Sequence, residues 1–231
     1  MKKNGLFGIL ALVFALAMTS CSNDPGGNSG TQPAQPPASQ AGAPGGVWVA
    51  ANGSLEIEAP VNIFNQVNGT VQATSVFNGS AVFVESYYSD INVGTVNGEN
   101  LSVTVPKPTG AMLENVEDIF EPELIESGIG TKVFLVESFD IASGSLWLYD
   151  NTQIGANGSD YEIVSEEIVF YIYSEGDVTL SGTYLWHVKT RYVDAKLVQG
   201  WNAIVLIPSH GDDDEYIISK NPSSNAKWIV D

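Results

Sequence analysis

The sequence has little cysteine, little histidine and little positive charge. It contains one cysteine and two histidines, and its 27 acidic residues outnumber nine lysines and arginines, which gives a formal net charge of −18 at pH 7. A single cysteine excludes a disulfide within the chain, so any folded domain must rest on its core alone. The negative charge disfavours contact with nucleic acid and with anionic lipid. We therefore expect no nucleic-acid partner.

Sequence motifs of the common enzyme classes are also missing. There is no Gly-x-Ser-x-Gly elbow, no His-Glu-x-x-His, no phosphate-binding loop and no dinucleotide fingerprint. Neither His187 nor His210 has a second histidine or a cysteine at the spacing of zinc ligands. The sequence therefore predicts a protein that is not an enzyme, with no catalytic residues and no resident cofactor.

The longest apolar run lies near the N-terminus, and the residues around it follow the order found in export signals. Lys2 and Lys3 precede an apolar run at residues 6–18, and two small residues then lead to Cys21. The run is shorter than the roughly 20 apolar residues that span a bilayer. Positive charge, apolar run and small residues together indicate a secretory signal peptide over residues 1–20. One alternative is ordinary cleavage near Ser20, which would leave Cys21 as a free thiol.

The position of Cys21 directly after this signal resembles the lipobox of bacterial lipoproteins of the spirochaete and Bacteroidetes type. Met18 and Ser20 stand where leucine and glycine or alanine are commoner. The resemblance implies that Cys21 is lipidated and that the chain is anchored to a membrane of the cell envelope. The serine that follows Cys21 favours the outer membrane over the inner. Two or more acyl chains are needed for a stable anchor of this kind.

After the signal, the sequence has first the composition of a linker and then the pattern of β-strands. Residues 21–46 contain no aromatic residue and no aliphatic side chain beyond alanine, so they predict a disordered linker. From Val47 onward, short runs rich in β-branched and aromatic residues alternate with Asn-Gly pairs, which suit type I′ hairpin turns. We therefore predict an all-β fold with one or two tandem antiparallel β-sandwiches. The Asn-Gly pairs are at 52–53, 68–69, 78–79, 97–98 and 157–158.

The strand pattern divides the folded part into two halves. Residues 47–110 form a first β half, residues 111–130 an acidic connector, and residues 131–231 a second β half. Within the connector, apolar spacing and a following proline predict a short helix at residues 114–120. The clearest predicted strands are residues 70–77, 80–87, 100–105, 132–139, 145–149, 168–173, 178–184 and 202–207.

Both halves resemble proteins of the bacterial envelope. In residues 67–108, a Gly-x-Val strand, a central strand and a turn into a strand that ends in Val-Pro are similar to transthyretin-like modules. In the second half, Asp177 to Tyr184, the Gly-Trp-Asn at 200–202 and Lys227-Trp228 resemble lipoproteins of unknown function. These resemblances imply residence in the cell envelope and a sandwich in the first half.

Alternating aromatic side chains in the second half suggest a ligand-binding face. Tyrosine and tryptophan combine a flat apolar body with a polar group, which suits stacking on sugar rings. Strand alternation predicts that the aliphatic neighbours face the core. The alternative is that both faces of these strands are buried. The candidate residues are Trp147, Tyr149, Tyr171, Tyr173, Tyr184 and Trp186.

Two charged segments remain. Asp212, Asp213, Asp214 and Glu215 place four carboxylates in one loop, and calcium binds clustered hard oxygens. Calcium is the one candidate cofactor, and a solvated hairpin loop is the alternative.

Residues 186–193 are predicted to form one strand with His187, Lys189 and Arg191 on one face. This basic face could receive an anion or pair with acidic neighbours on adjacent strands.

The sequence leaves two functions open. The first is a lipid-anchored, non-enzymatic binding or adhesion module for a glycan or a protein, and an exposed aromatic patch would favour it. The second is a structural component of the envelope that docks to another membrane protein, and a large apolar face beside the linker would favour it.

Overall fold

The computed structural model describes residues 43–84, 90–157, 160–208 and 214–230, except for the side chains of residues 157, 164 and 165. The predicted signal peptide, Cys21 and most of the predicted linker lie outside the described residues. All described residues belong to one compact unit. No helix within these ranges is long and apolar enough to cross a membrane.

Nearly all regular structure in the described residues is β. The one α-helix, α1, covers Val116–Ile119, which is shorter than the predicted helix. The strands are β1 Val47–Val49, β2 Leu55–Asn65, β3 Thr70–Ala73, β4 Ala81–Val84, β5 Ile91–Asn97, β6 Asn100–Val105, β7 Glu114–Asn115, β8 Ile125–Ser127, β9 Lys132–Val136, β10 Phe139–Ile141, β11 Gly144–Asn157, β12 Asp160–Ser174, β13 Val178–Trp186, β14 Lys189–Leu197, β15 Gly200–Pro208, β16 Asp214–Ser219 and β17 Lys227–Val230.

This content confirms the predicted all-β class. Hydrogen bonds connect the seventeen strands of the described ranges into a single mixed sheet. Two pairings, β14 with β16 and β2 with β17, are parallel, and the others are antiparallel. The finer prediction of one or two separate antiparallel sandwiches is not confirmed, because the sheet is continuous and mixed.

Seven strands of the sheet form a closed circuit around the larger core. The order is β2, β6, β5, β4, β10, β11 and β17, after which β17 pairs with β2 again. The core inside contains Ile57 and Leu101 from the first predicted half and Leu146, Tyr171 and Trp228 from the second. The two halves therefore share one apolar core.

The remaining large strands curve around a second core. Their order is β9, β12, β15, β16, β14, β13 and β8. Strand β12 separates the two cores, since Tyr171 packs in the larger core and Ile172 in the smaller one. Successive strand residues point to opposite faces, so a strand buried on both sides places every side chain in a core. The helix α1 contributes Val116 and Ile119 to the smaller core.

The described Asn-Gly pairs lie at turns, as predicted, but not in the predicted turn type. Gly53, Gly69, Gly79 and Gly98 all have positive φ angles. The preceding asparagines do not, because Asn151 and His187 are the non-glycine residues with positive φ in the described ranges. A type I′ turn requires positive φ at both central residues. The pair at 157–158 falls partly outside the described residues.

The folded part begins before Val47, which corrects the end of the predicted linker. Pro44–Gly46 form a 3₁₀ turn in which Gly45 is buried and its carbonyl oxygen accepts a hydrogen bond from Nε1 of Trp228 at 2.9 Å. Gly46 has φ +68°, and a Cβ atom there would lie 2.0 Å from the carbonyl oxygen of Glu58. These glycines looked like linker composition, but Gly46 is required by the close backbone of Glu58, and a Cβ atom at Gly45 would lie 3.0 Å from the side chain of Leu148.

Candidate functional site

Three of the six aromatic candidates are buried. Tyr171 and Tyr173 pack in the larger core, and Tyr149 is buried beside it. Burial also raises the pKa of the Tyr171 hydroxyl, with a further contribution from the negative charge of Asp150. The alternative, that both faces of the strand are buried, therefore holds for β12, since its tyrosines face the larger core together with Val169 while Ile172 lies in the smaller core. A ligand cannot stack on these rings in the folded protein.

Trp147 is half-buried and lies on the same face of β11 as Tyr149. Its ring packs edge-on against Phe170, with 6.5 Å between the ring centroids. Leu146 and Leu148 on the opposite face of β11 lie in the larger core, as the alternation predicts. Trp147 therefore contributes mainly to packing between β11 and β12.

The two remaining candidates, Tyr184 and Trp186, lie at the end of the hairpin formed by β13 and β14. The predicted single strand at residues 186–193 is wrong, because β13 ends at Trp186 and β14 begins at Lys189. His187 and Val188 form the turn between them, and His187 has φ 54°. The turn places Trp186 directly opposite Lys189, and Tyr184 opposite Arg191.

Aromatic and charged side chains meet on one face of this hairpin. Glu215 from β16 accepts hydrogen bonds from Nζ of Lys189 at 2.7 Å and from Nε of Arg191 at 2.5 Å. The guanidinium of Arg191 lies over the ring of Trp186 at 4.6 Å, and its Nη1 is 3.3 Å from Oη of Tyr184. We call these five residues the hairpin cluster.

Glu215 is the electrostatic centre of the hairpin cluster. It is buried, and burial by itself opposes ionisation of the carboxyl group. The hydrogen bonds and positive charges of Lys189 and Arg191 outweigh that effect and lower the pKa of Glu215. Of the two predicted roles for the basic residues, ion pairing with an acidic neighbour is thus confirmed for Lys189 and Arg191.

The opposite face of the same strands carries an exposed apolar patch. Tyr192 and Tyr216, on neighbouring strands, stack with 5.1 Å between ring centroids and are 39% and 42% exposed. Leu185 on this face is 67% exposed, and Val188 in the turn of the same hairpin is 77% exposed. We call these four residues the outer patch. Sequence reasoning missed it because Tyr192 and Tyr216 become neighbours only through the parallel pairing of β14 and β16.

The predicted calcium loop is only partly described. Asp212 and Asp213 lie outside the described residues, whereas Asp214 and Glu215 begin β16. Both carboxylate oxygens of Glu215 are already engaged by Lys189 and Arg191. Within the described ranges, no three metal-ligating side chains gather into a group. Glu215 thus takes part in two ion pairs, and calcium binding by the loop stays a prediction.

The hairpin lies far across the sheet from the point where the predicted linker meets the domain. Five strand spacings separate β17 from β14, through β11, β12, β15 and β16. At about 4.8 Å per spacing this is about 24 Å along the sheet. Beside the linker, a groove of about 320 Å³ is lined mainly by small or polar residues such as Ala43, Glu58, Asn62 and Lys227, and also by Pro60 and Trp228.

Comparison with known proteins identified no relative of this chain. No protein-family model matches the chain. No curated protein matches its sequence, and no solved structure matches its fold. The geometry of the hairpin and the N-terminal sequence are therefore the features that bear on function.

Proposed function

We propose that this chain is a lipid-anchored protein of the bacterial cell envelope that acts as a non-enzymatic binding module, with a polysaccharide as its ligand and the hairpin of β13 and β14 as its binding surface. The anchor and the location rest on the N-terminal sequence: the two lysines, the apolar run and Cys21. The choice of binding surface rests on the hairpin geometry.

The outer patch is the observation that carries this proposal. Scattered exposed apolar residues are ordinary, but a concentration of them at one place is typical of a contact site. Leu185, Val188, Tyr192 and Tyr216 gather at one hairpin and its neighbouring strand. Tyrosine rings are common at recognition surfaces, because they provide a rigid apolar face with a polar end.

The position of the hairpin also supports an outward-facing role. The linker meets the domain at Ala43, beside β2 and β17, whereas the outer patch lies five strands away. Along the sheet, the outer patch is therefore well separated from Ala43, where the described part of the chain begins.

The alternative of a structural component that docks beside its anchor finds less support. A docking face next to the linker would need a broad apolar surface. In the described part of the chain, the groove there is lined largely by small and polar residues. None of its lining residues is among the large exposed apolar side chains.

A retention experiment with the full chain tests the proposal. The protein in detergent micelles would be passed over immobilised cellulose, chitin, peptidoglycan and polygalacturonate. The variant with both Leu185→Ser and Tyr192→Ser should lose at least tenfold in retention on whichever polymer holds the wild type. Val76→Ser is the control, because Val76 is 79% exposed at a distant turn. Retention by no polymer, or retention that survives the double substitution, would contradict the proposal.

A further inference from the structure

Four of the Asn-Gly pairs lie wholly within the described residues, and all four are at turns. In this dipeptide the backbone nitrogen of glycine can attack Cγ of the asparagine, because glycine has no side chain to hinder the approach. The attack produces a cyclic succinimide, which water opens to aspartate or isoaspartate. Since the four pairs share the dipeptide, the contacts around each asparagine largely decide how their rates differ in the folded protein.

The N–H groups of the four glycines are similar, since each donates a hydrogen bond. Those of Gly53, Gly69 and Gly79 each donate to a backbone carbonyl oxygen at 2.8–2.9 Å. That of Gly98 donates to Oδ1 of Asn78 at 2.7 Å. Attack on the asparagine therefore requires one hydrogen bond to open at every pair.

The side-chain oxygens of the four asparagines differ. Attack moves negative charge onto Oδ1, and donors already aimed at that oxygen stabilise the charge. Oδ1 of Asn68 accepts two hydrogen bonds from Thr70, at 3.2 Å from the backbone nitrogen and at 2.6 Å from Oγ1. Oδ1 of Asn78 accepts one, from a backbone N–H, and Asn97 uses its amide nitrogen to donate to a hydroxyl group. Asn68 is thus better prepared for attack than Asn78 or Asn97.

Asn52 resembles Asn68, but a carboxylate competes for its second donor. The backbone nitrogen of Ser54 is 3.0 Å from Oδ1 of Asn52. Oγ of Ser54 is 2.7 Å from the same oxygen and 2.6 Å from Oε1 of Glu56. A hydroxyl has one proton to donate, and an ionised carboxylate only accepts and is the stronger acceptor. The proton of Ser54 therefore goes to Glu56, which leaves Asn52 with one donor.

The turn between β2 and β3, which contains Asn68, is open to water and requires its glycine. Asn68 is exposed, and Val67 beside it is 79% exposed. Gly69 has φ +64°, and a Cβ atom there would lie 2.6 Å from a ring atom of Tyr161. The fold therefore requires glycine after Asn68, although the resulting dipeptide is chemically labile.

From these contacts we infer that Asn68 is a site of spontaneous deamidation and that Thr70 promotes the reaction. The nitrogen of Gly69 loses its proton to hydroxide and forms a bond to Cγ of Asn68, while the electron pair of the carbonyl moves to Oδ1, where the two donors of Thr70 stabilise it. The intermediate then breaks the bond between Cγ and Nδ2, and the nitrogen takes a proton from water and leaves as ammonia. Water opens the succinimide, and either product adds one negative charge to the turn.

Two substitutions of Thr70 and a matched control test the inference. Thr70→Val keeps the shape of the side chain and removes the hydroxyl, whereas Thr70→Ser keeps the hydroxyl. Ser80→Ala is the control, because Ser80 has the same place after Asn78, whose oxygen is bound by the N–H of Gly98 instead. The full chain in detergent micelles would be incubated at mildly alkaline pH, and peptide mapping by mass spectrometry would follow amide and acid at each pair. The comparison would be repeated in urea, which removes the folded contacts.

We expect Asn68 to deamidate faster than the other three described asparagines in the folded chain. Thr70→Val should slow the reaction at Asn68 about fivefold, as expected for the loss of one hydrogen bond, and Thr70→Ser should match the wild type. Ser80→Ala should leave the rate at Asn78 unchanged, and in urea the effect of valine should disappear. A faster rate at another described pair, an unchanged or higher rate in Thr70→Val, equal slowing of Asn78 by Ser80→Ala, or the same effect of valine in urea would overturn the inference.

Discussion

Replacing Tyr171 separates the core role of the β12 tyrosines from a ligand-binding role. Tyr171 is 1% exposed and lies in the larger core, on β12, the strand that separates the two cores. The variant Tyr171→Ala removes a whole aromatic ring from this position. Tyr192→Ala is the matched comparison, because Tyr192 has the same side chain but is 39% exposed in the outer patch.

The expected cost follows from the burial of each ring. An aromatic side chain buries on the order of 150–250 Å², and at about 25 cal/mol per Å² its transfer contributes about 4–6 kcal/mol. Alanine keeps part of that area, whereas the cavity left behind adds to the loss, so Tyr171→Ala should reduce the free energy of unfolding by about 3–5 kcal/mol. Tyr192→Ala loses mainly its stack on Tyr216, which is about 1 kcal/mol.

Urea denaturation followed by circular dichroism measures both values. Tyr171→Phe is the control for the hydroxyl and should cost about 1 kcal/mol. If Tyr171→Ala unfolded with a free energy within 1 kcal/mol of the wild type, the packing of β12 between two cores would be refuted. A loss of several kcal/mol for Tyr192→Ala would likewise refute the exposure of the outer patch.

Three further outcomes follow from the sequence and the contacts. Cys21→Ala should move the protein from the detergent phase to the aqueous phase on partitioning, and a variant that stayed with detergent would contradict the lipid anchor. The pKa of Glu215 is lowered in the folded state, so its contribution to the free energy of unfolding is present above the unfolded pKa and is lost as the pH falls through the folded pKa. Acidification should therefore destabilise the wild type more than Glu215→Gln. Equal losses of stability in denaturant titrations would contradict the ion pairs. Gly46→Ala should destabilise more than Gly79→Ala, because both glycines have positive φ but only Gly46 faces a backbone oxygen; thermal melts of equal midpoint would contradict the packed 3₁₀ turn.

The sequence predicted most strands and turns of the chain, but it did not predict which side chains are buried. Strand β6 matches its predicted range, and the described Asn-Gly pairs all lie at turns. Alternation within β12 predicted which side chains share a face, but it could not tell that both faces meet apolar layers. The same alternation failed at His187, because a turn of two residues changes the direction of the chain without interrupting the polar and apolar pattern.

In the candidate site, the sequence likewise identified the residues but not the contacts between them. Tyr184, Trp186, Lys189, Arg191 and Glu215 were all singled out in the sequence, as aromatic, basic and acidic candidates in separate arguments. Their assembly into one cluster depends on the parallel pairing of β14 with β16, which brings Arg191 opposite Glu215. No local spacing predicts a pairing between strands that are separated by a further strand along the chain.

By itself, the sequence determined the all-β class, the strand-forming segments, the absence of a stapling disulfide and the acidic character of the chain. These properties follow from residue types and short-range periodicity, which act within a few residues. The tertiary structure decided the rest: the shared core of the two halves, the burial of Tyr149, Tyr171 and Tyr173, the packing of Gly45 and Gly46 against Trp228 and Glu58, and the meeting of Lys189 and Arg191 with Glu215. Each of these depends on which strands lie side by side, and that choice is made by the packing of the whole chain.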